Sequence, residues 1–154
     1  MKALTICQPY ASLIVGWKGI DPRYLKRVEN RTRYTAYRGP LLIHAGKDRK
    51  WLKTWDGPVP EDMPFGALLG ITDLTNCIRF DRIFPRTCDE PPLADNLLWL
   101  RTHLHVEGPQ CLVLANARRF QSPIPYTGQR GLFDVPDEMI TGRVLLVPEN
   151  APNY

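Results

Sequence analysis

Fifteen prolines and eleven glycines interrupt this 154-residue chain from one end to the other. Proline fixes φ and removes a backbone donor, and glycine loosens the chain, so neither suits long regular elements. That distribution argues against a helical bundle and for short elements joined by turns. At this length the chain reads as a single domain over residues 1–154, large enough to bury roughly two thirds of its unfolded surface. A hydrophobic content of 44% and a charged content of 23% are ordinary for a soluble globular protein. Cys7, Cys77, Cys88 and Cys111 are scattered without a paired spacing, which gives neither a zinc ribbon nor a disulfide framework and points to a reducing cytoplasm. The apolar stretch 3–17 is broken by Gln8-Pro9 and lacks a cleavage-like end, so neither a signal peptide nor a membrane span is expected.

Periodicity gives a mixed order of strands and helices. Residues 2–7 alternate as a strand, with Ala3, Thr5 and Cys7 on one face and Leu4 and Ile6 on the other. Gln8-Pro9 opens a helix whose stripe of Tyr10, Leu13, Ile14 and Trp17 is core, and Gly16 and Gly19 mark its end. Residues 20–27 form a polar loop, and 28–34 and 39–45 are strands. Residues 47–55 predict a basic helix with Trp51, Leu52 and Trp55 facing inward. Residues 66–77 and 111–120 are strands, 78–92 are irregular, and 93–104 predict a short helix. Residues 128–131 (Gly-Gln-Arg-Gly) form a turn, and 143–147 are expected to close the sheet. No internal repeat or low-complexity tract is present. Non-adjacent strands with two or three helices suggest a small, partly closed barrel.

Charge is concentrated in one segment. Residues 18–53 hold eleven Lys and Arg against three acids, a net +8, while the rest of the chain sums to −4. Such a basic field attracts phosphates, although a solvated face with no partner has the same composition. Within residues 28–34, alternation places Glu29, Arg31 and Arg33 on one strand face and Val28, Asn30 and Thr32 on the other. A carboxylate between two guanidiniums either makes a surface ion-pair ladder or holds arginines ready for bidentate phosphate contacts. His44, at the end of an apolar strand, is either a satisfied buried histidine or an acid–base group. His103 and His105 have no acid or Cys at metal-binding spacing, so no metal is expected there. Tyr34, Tyr37, Trp51 and Trp55 interleave with the bases, where aromatic faces can stack on nucleobases; for Trp51 core packing is the preferred reading, because the helix stripe accounts for it.

The runs Gln8-Pro9-Tyr10-Ala11-Ser12-Leu13-Ile14-Val15-Gly16, Lys26-Arg27-Val28-Glu29-Asn30-Arg31-Thr32 and Tyr37-Arg38-Gly39-Pro40-Leu41-Leu42-Ile43-His44-Ala45 resemble the ASCH domain family of the PUA-like superfamily. The hallmark of that family is Gly-x-Lys-x-x-Glu-x-Arg just after the first helix. Later blocks agree, at residues 65–71 and 123–133. An insertion, residues 18–25, separates Gly16 from the rest of the motif, so its lysine is either Lys18 or Lys26; Lys26 keeps the spacing to Glu29 and Arg31. Arg33 stands where many relatives carry Trp.

The resemblance implies an α+β fold, a small PUA-like mixed β-barrel with two or three flanking helices, and an association with RNA. One bacterial branch comprises amidohydrolases acting on N4-acetylcytidine through a Lys, a Thr in the motif and a distant Glu. Glu29 stands in place of that Thr, and a carboxylate cannot replace a lysine-activated hydroxyl nucleophile without changing the chemistry. Ribonuclease action in other members implies Lys26, Glu29 and His44 as acid–base candidates, with Asp73 or Glu107 as a further carboxylate. The expected function is binding of single-stranded RNA, a nucleotide or a modified nucleoside in a basic cleft formed by Lys18, Lys26, Arg31, Arg33, Arg38, His44 and Arg130. The alternative is a metal-independent hydrolase of RNA or of an N4-acylcytidine. No cofactor is expected.

Overall fold

The computed structural model describes residues 1–60 and 62–148. In chain order it runs β1 (Lys2–Ile6), α1 (Tyr10–Val15), a 3₁₀ turn (Pro22–Tyr24), β2 (Val28–Arg31), β3 (Gly39–Ala45) and a 3₁₀ turn (Lys50–Lys53). There follow β4 (Ala67–Arg79), α2 (Phe80–Ile83), a 3₁₀ segment (Asp95–Thr102), β5 (Gln110–Pro125), β6 (Leu132–Asp134), a 3₁₀ turn (Asp137–Met139) and β7 (Leu145–Leu146). The sheet is mixed: β1 runs parallel to β3 and antiparallel to β6, and β5 is antiparallel to both β2 and β7. The fold is α+β and PUA-like, as the sequence leads one to expect. No helix among the described residues is long and apolar enough to cross a membrane.

Contacts gather into two compact units. One comprises Met1–Leu25, Pro40–Asp73 and the described part of Asn116–Tyr154; the other comprises Lys26–Gly39 and Leu74–Ala115. In the first unit, Ala3, Leu42, Leu68, Ile71, Phe120, Ile124, Phe133 and Val135 form an apolar cluster. The β1–β3 register sets Thr5 opposite His44. Both alternating faces of β1 contribute buried residues, Ala3 as well as Leu4 and Ile6, because a strand covered on both sides has no polar face. Helix α1 is likewise buried beyond its expected stripe, at Ala11, Ser12 and Val15 as well as Leu13 and Ile14. Gln8, fully buried, organises its start: Oε1 accepts the Ser12 N–H at 3.1 Å while Nε2 donates to the Pro64 carbonyl at 2.6 Å. Gly16 ends the helix at φ +60°, and a Cβ there would meet Pro148 at 2.6 Å, so glycine is required on two counts.

In the second unit, Val28, Ile83, Leu93, Leu100, Cys111 and Val113 form the apolar cluster. Three expectations about elements are corrected. Strand β2 stops at Arg31 rather than residue 34, because its ladder ends where Arg31 faces Gln110, the first residue of β5. The basic helix over 47–55 shrinks to a 3₁₀ turn: Asp48 Oδ1 accepts the Lys50 N–H at 2.9 Å, a local bond that competes with helix continuation. Residues 143–147 do not close the sheet; the two residues of β7 pair with β5, beside the path that joins the other strands.

Candidate nucleic-acid interface

Strand β2 aligns the motif residues. Val28 points into the apolar cluster of its unit, and Asn30 binds the segment that precedes β5. Asn30 Nδ2 donates to the His105 carbonyl at 2.8 Å, and its Oδ1 accepts the N–H groups of Glu107 and Gly108 at 3.0 and 2.9 Å. The alternate residues, Glu29 and Arg31, therefore share the opposite side. Glu29 Oε2 lies 3.1 Å from Lys26 Nζ, and Glu29 Oε1 lies 3.1 Å from the Arg31 guanidinium. The lysine and glutamate side chains are 5% and 10% exposed, whereas that of Arg31 is 31% exposed. One carboxylate thus serves two cations, with the buried one neutralised first and the accessible one oriented by the same group. Lys18, the competing motif lysine, is paired with Asp62 in the open, its side chain 63% exposed.

Two histidines surround this pair without any sequence proximity to it. His103 accepts the Arg27 N–H through Nε2 at 3.1 Å, which leaves Nδ1 to carry the proton of the neutral ring. His103 and His105 meet edge to face with ring centroids 5.7 Å apart, and Trp99 packs against His103 while the Arg27 guanidinium lies 4.9 Å from the Trp99 ring. Burial pushes the His103 pKa down to about 4, helped by the positive charges of Arg27 and Lys26. Burial, then Lys26 and His103, lower His105 to about 4 as well. Both rings are neutral at physiological pH and add no charge beside Lys26. The sequence signal available for them was the His-x-His spacing.

Beyond β2 the chain turns into solvent. Arg33, Tyr34 and Arg38 are all exposed, Tyr34 at 60%. Arg38 donates through Nη1 to the carbonyls of Thr35 and Tyr37 at 2.9 and 2.7 Å, and its guanidinium lies 5.9 Å from the Tyr34 ring. Arg33 lies past the end of the ladder, so the expected three-residue face of Glu29, Arg31 and Arg33 reduces to Glu29 with Arg31.

The remaining candidates, Glu107 excepted, lie in the other unit. His44 is 2% exposed, its Nε2 donates to the Tyr126 carbonyl at 2.9 Å, and Phe133 packs edge-on against it. Burial lowers its pKa, and a Cβ at Gly128 would meet its Nδ1 at 2.6 Å, so glycine lets the backbone lie against the ring. Arg130 is exposed on the turn before β6. Of the carboxylate candidates, Asp73 accepts the Asn116 side-chain amide at 2.8 Å, and Glu107 is exposed on the loop that Asn30 holds. Trp51 corrects the inward-facing expectation: with no helix to turn it to the core, it is 42% exposed. Among the described residues, no group of three or more His, Cys, Asp and Glu is arranged to hold a metal ion.

The architecture matches solved structures closely enough to place it. The ASCH protein of Zymomonas mobilis superposes with a TM-score of 0.53 at 14% identity, covering 94% of this chain and 96% of that one. A mutant form of the same bacterial protein, with a tyrosine changed to phenylalanine, gives a TM-score of 0.53 at 13% identity, over 93% and 98% of the two chains. The fold is that of an ASCH domain. No family model matches the chain. In sequence, the chain is 36% identical over 103 residues to activating signal cointegrator 1 of Mus musculus and 35% identical over 103 residues to the Homo sapiens protein. These alignments take in 56% of this chain and 16% of each relative, so the chain spans about one sixth of their length. The resemblance to the ASCH family carried by the three sequence blocks is borne out.

Proposed function

We propose that this ASCH domain binds single-stranded RNA, with Arg31, Arg33 and Arg38 as the phosphate contacts and Tyr34 as an accessible ring beside them. The observation that carries the reading is the split environment of the Lys26–Glu29–Arg31 cluster. Lys26 pairs with Glu29 in a closed setting, while the same carboxylate holds the Arg31 guanidinium in place where it is partly exposed at the surface. An oriented guanidinium is suited to bidentate phosphate contact and loses little freedom on binding. The exposed arginines that follow extend the field along an irregular segment, and an unpaired base offers a π-face to Tyr34 that a duplex hides. The segment-wide excess of +8 over residues 18–53 and the ASCH fold support the same partner.

Titration of a labelled oligouridylate at several salt concentrations tests this. Three phosphate contacts on a single strand give a log–log slope of about −2, and substituting Arg31, Arg33 and Arg38 together should remove most of the affinity. Absence of binding to any single-stranded oligonucleotide or nucleotide at low salt would overturn the reading.

A hydrolase acting on RNA or on an N4-acylated cytidine is the second reading. It is favoured by the contact of Lys26 with Glu29 in a secluded setting, where an amine and a carboxylate can exchange a proton with a bound group. Incubation with labelled RNA and with N4-acetylcytidine, in the presence of chelator, measures it. Turnover abolished by both Lys26→Ala and Glu29→Gln in folded protein supports the enzyme; turnover surviving both assigns the activity elsewhere.

A further inference from the structure

We infer that Trp51, on the 3₁₀ turn Lys50–Lys53, is a second nucleic-acid contact, a stacking platform for an unpaired base flanked by phosphate-binding cations. The inference rests on the RNA-binding reading above but names a site outside the Lys-x-x-Glu-x-Arg motif. Its physical basis is an indole held in the open. Trp51 is 42% exposed, yet its position is fixed. Tyr10 meets it edge to face with centroids 6.2 Å apart, and Tyr10 is braced in turn by Trp55 at 6.0 Å, with Tyr24 against Trp55 at 6.2 Å. The backbone closes the same turn, because the Trp51 carbonyl accepts the N–H groups of Thr54 and Trp55 at 3.3 and 3.1 Å and the Thr54 hydroxyl at 3.3 Å. Trp55 Nε1 donates to the Pro58 carbonyl at 3.3 Å, and a Cβ at Gly57 would overlap the Trp55 ring. Three aromatic rings and a tight turn therefore position the fourth ring, which is left partly in water.

The surroundings select the partner. Lys47, Arg49, Lys50 and Lys53 are exposed, and over residues 47–53 only Asp48 opposes them, a net +3 in seven residues. The Lys50 ammonium lies 5.4 Å from the Trp51 ring centroid, and the Arg49 guanidinium lies 3.9 Å from the Phe65 ring. Cations spaced around an accessible, pre-positioned aromatic ring match the repeat of single-stranded nucleic acid, in which a stackable base alternates with a phosphate. An acidic peptide satisfies the cations but leaves the indole without a matched surface.

Two oligomers of equal charge separate the ring from the field: oligouridylate and the same backbone without bases. Trp51→Ala should weaken oligouridylate binding roughly tenfold and leave the abasic oligomer unchanged, and Trp51→Phe should restore most of the loss. Lys50→Ala with Lys53→Ala should weaken both oligomers and flatten the salt dependence. Unchanged melting midpoints for these surface variants exclude unfolding as the cause. If oligouridylate binds the parent chain but Trp51→Ala has no effect, or weakens the abasic oligomer equally, the platform is refuted while RNA binding stands. If the parent chain binds no oligomer, the RNA reading fails and the platform with it. Saturable binding of an acidic peptide that competes at Trp51 and is stronger than RNA would also overturn the assignment.

Discussion

Lys26 and Lys18 each face one carboxylate, and they compete for the same position in the motif, yet the structure treats them in opposite ways. Lys26 meets Glu29 with side-chain exposures of 5% and 10%; Lys18 meets Asp62 with exposures of 63% and 50%. Water and salt screen the exposed pair, and the long Lys18 side chain loses rotamer freedom in exchange for little. In the buried pair the charges have already left water, so removing one member leaves the other without its closest compensating charge. Identical chemistry therefore has a surface role in one region and a structural one in the other. The lesson is that burial, rather than the identity of a pair, decides what removing one member does.

The largest expected effect comes from removing Glu29. Without it, Lys26 and Arg31 are left as adjacent cations, one of them buried, and breaking a buried pair costs about 3–5 kcal/mol. Lys26→Met should do less harm, because Arg31 still contacts Glu29 at 3.1 Å and a thioether fills the space of the lysine stem. Urea unfolding of Glu29→Ala, Lys26→Met and the double variant measures both costs and their coupling. Equal, small losses would place the pair in the same class as Lys18–Asp62.

Acidification should also act through the buried region first. The folded-state pKa values of His103 and His105 lie near 4, below the ordinary 6.5 of an unfolded chain. Between pH 6.5 and 4 the unfolded chain takes up protons that the fold refuses, so stability is full above pH 6.5 and falls as the pH drops through that window. Each histidine contributes up to about 1.4 kcal/mol per pH unit within it. Asp21, Asp62 and Asp134, which their basic partners hold below the usual carboxylate value of 3.8, lose stability only at lower pH. Unfolding free energies at about pH 7, 5.5 and 4.5 therefore report the buried histidines; replacing His103 and His105 by Gln should remove most of the slope and leave the part due to His44, whose pKa burial also lowers.

Local pattern made some of this legible in the sequence. The spacing of Lys26, Glu29 and Arg31 joins residues that do meet, because alternation along β2 puts Glu29 and Arg31 on one side and Lys26 stands three residues before Glu29. Strands β1, β3, β4 and β5 follow from alternation or apolar runs, though β5 extends well past residue 120. What local pattern misses is set by distant partners. His103 and His105 reach the Lys26 region through contacts separated by more than seventy residues, such as Arg27 N–H to His103 and Asn30 to His105. Arg33 leaves the strand because β5 begins at Gln110, which nothing near Arg33 announces. Trp51 fits a helix stripe on paper, but the side chain of Asp48 captures the Lys50 N–H and the helix does not form.

A smaller effect separates the arginines from one another. Arg31 is oriented by Glu29, whereas Arg33 stands beyond the end of β2. Loss of a pre-oriented charged contact costs about 1.5–3 kcal/mol of binding, so Arg31→Ala should weaken oligouridylate binding more than Arg33→Ala does. Equal losses would mean that orientation by Glu29 adds nothing beyond charge.

The smallest effect belongs to the exposed lysine with which the comparison began. Lys18→Ala should leave the melting midpoint unchanged within error, because its partner Asp62 remains hydrated when the lysine is gone. Its effect on RNA affinity should be that of one diffuse positive charge, visible at low salt and absent at high salt. Lys26→Met differs on both counts: it loosens the fold, and through Glu29 it disturbs the placement of Arg31, so its effect on affinity should persist at high salt. Running the two variants side by side, with melting and RNA titration at low and high salt, tests whether the motif works through the geometry of one buried carboxylate. If both lose the same affinity with the same salt dependence, the two lysines act as parts of one diffuse field, and the burial of Lys26 serves the fold alone.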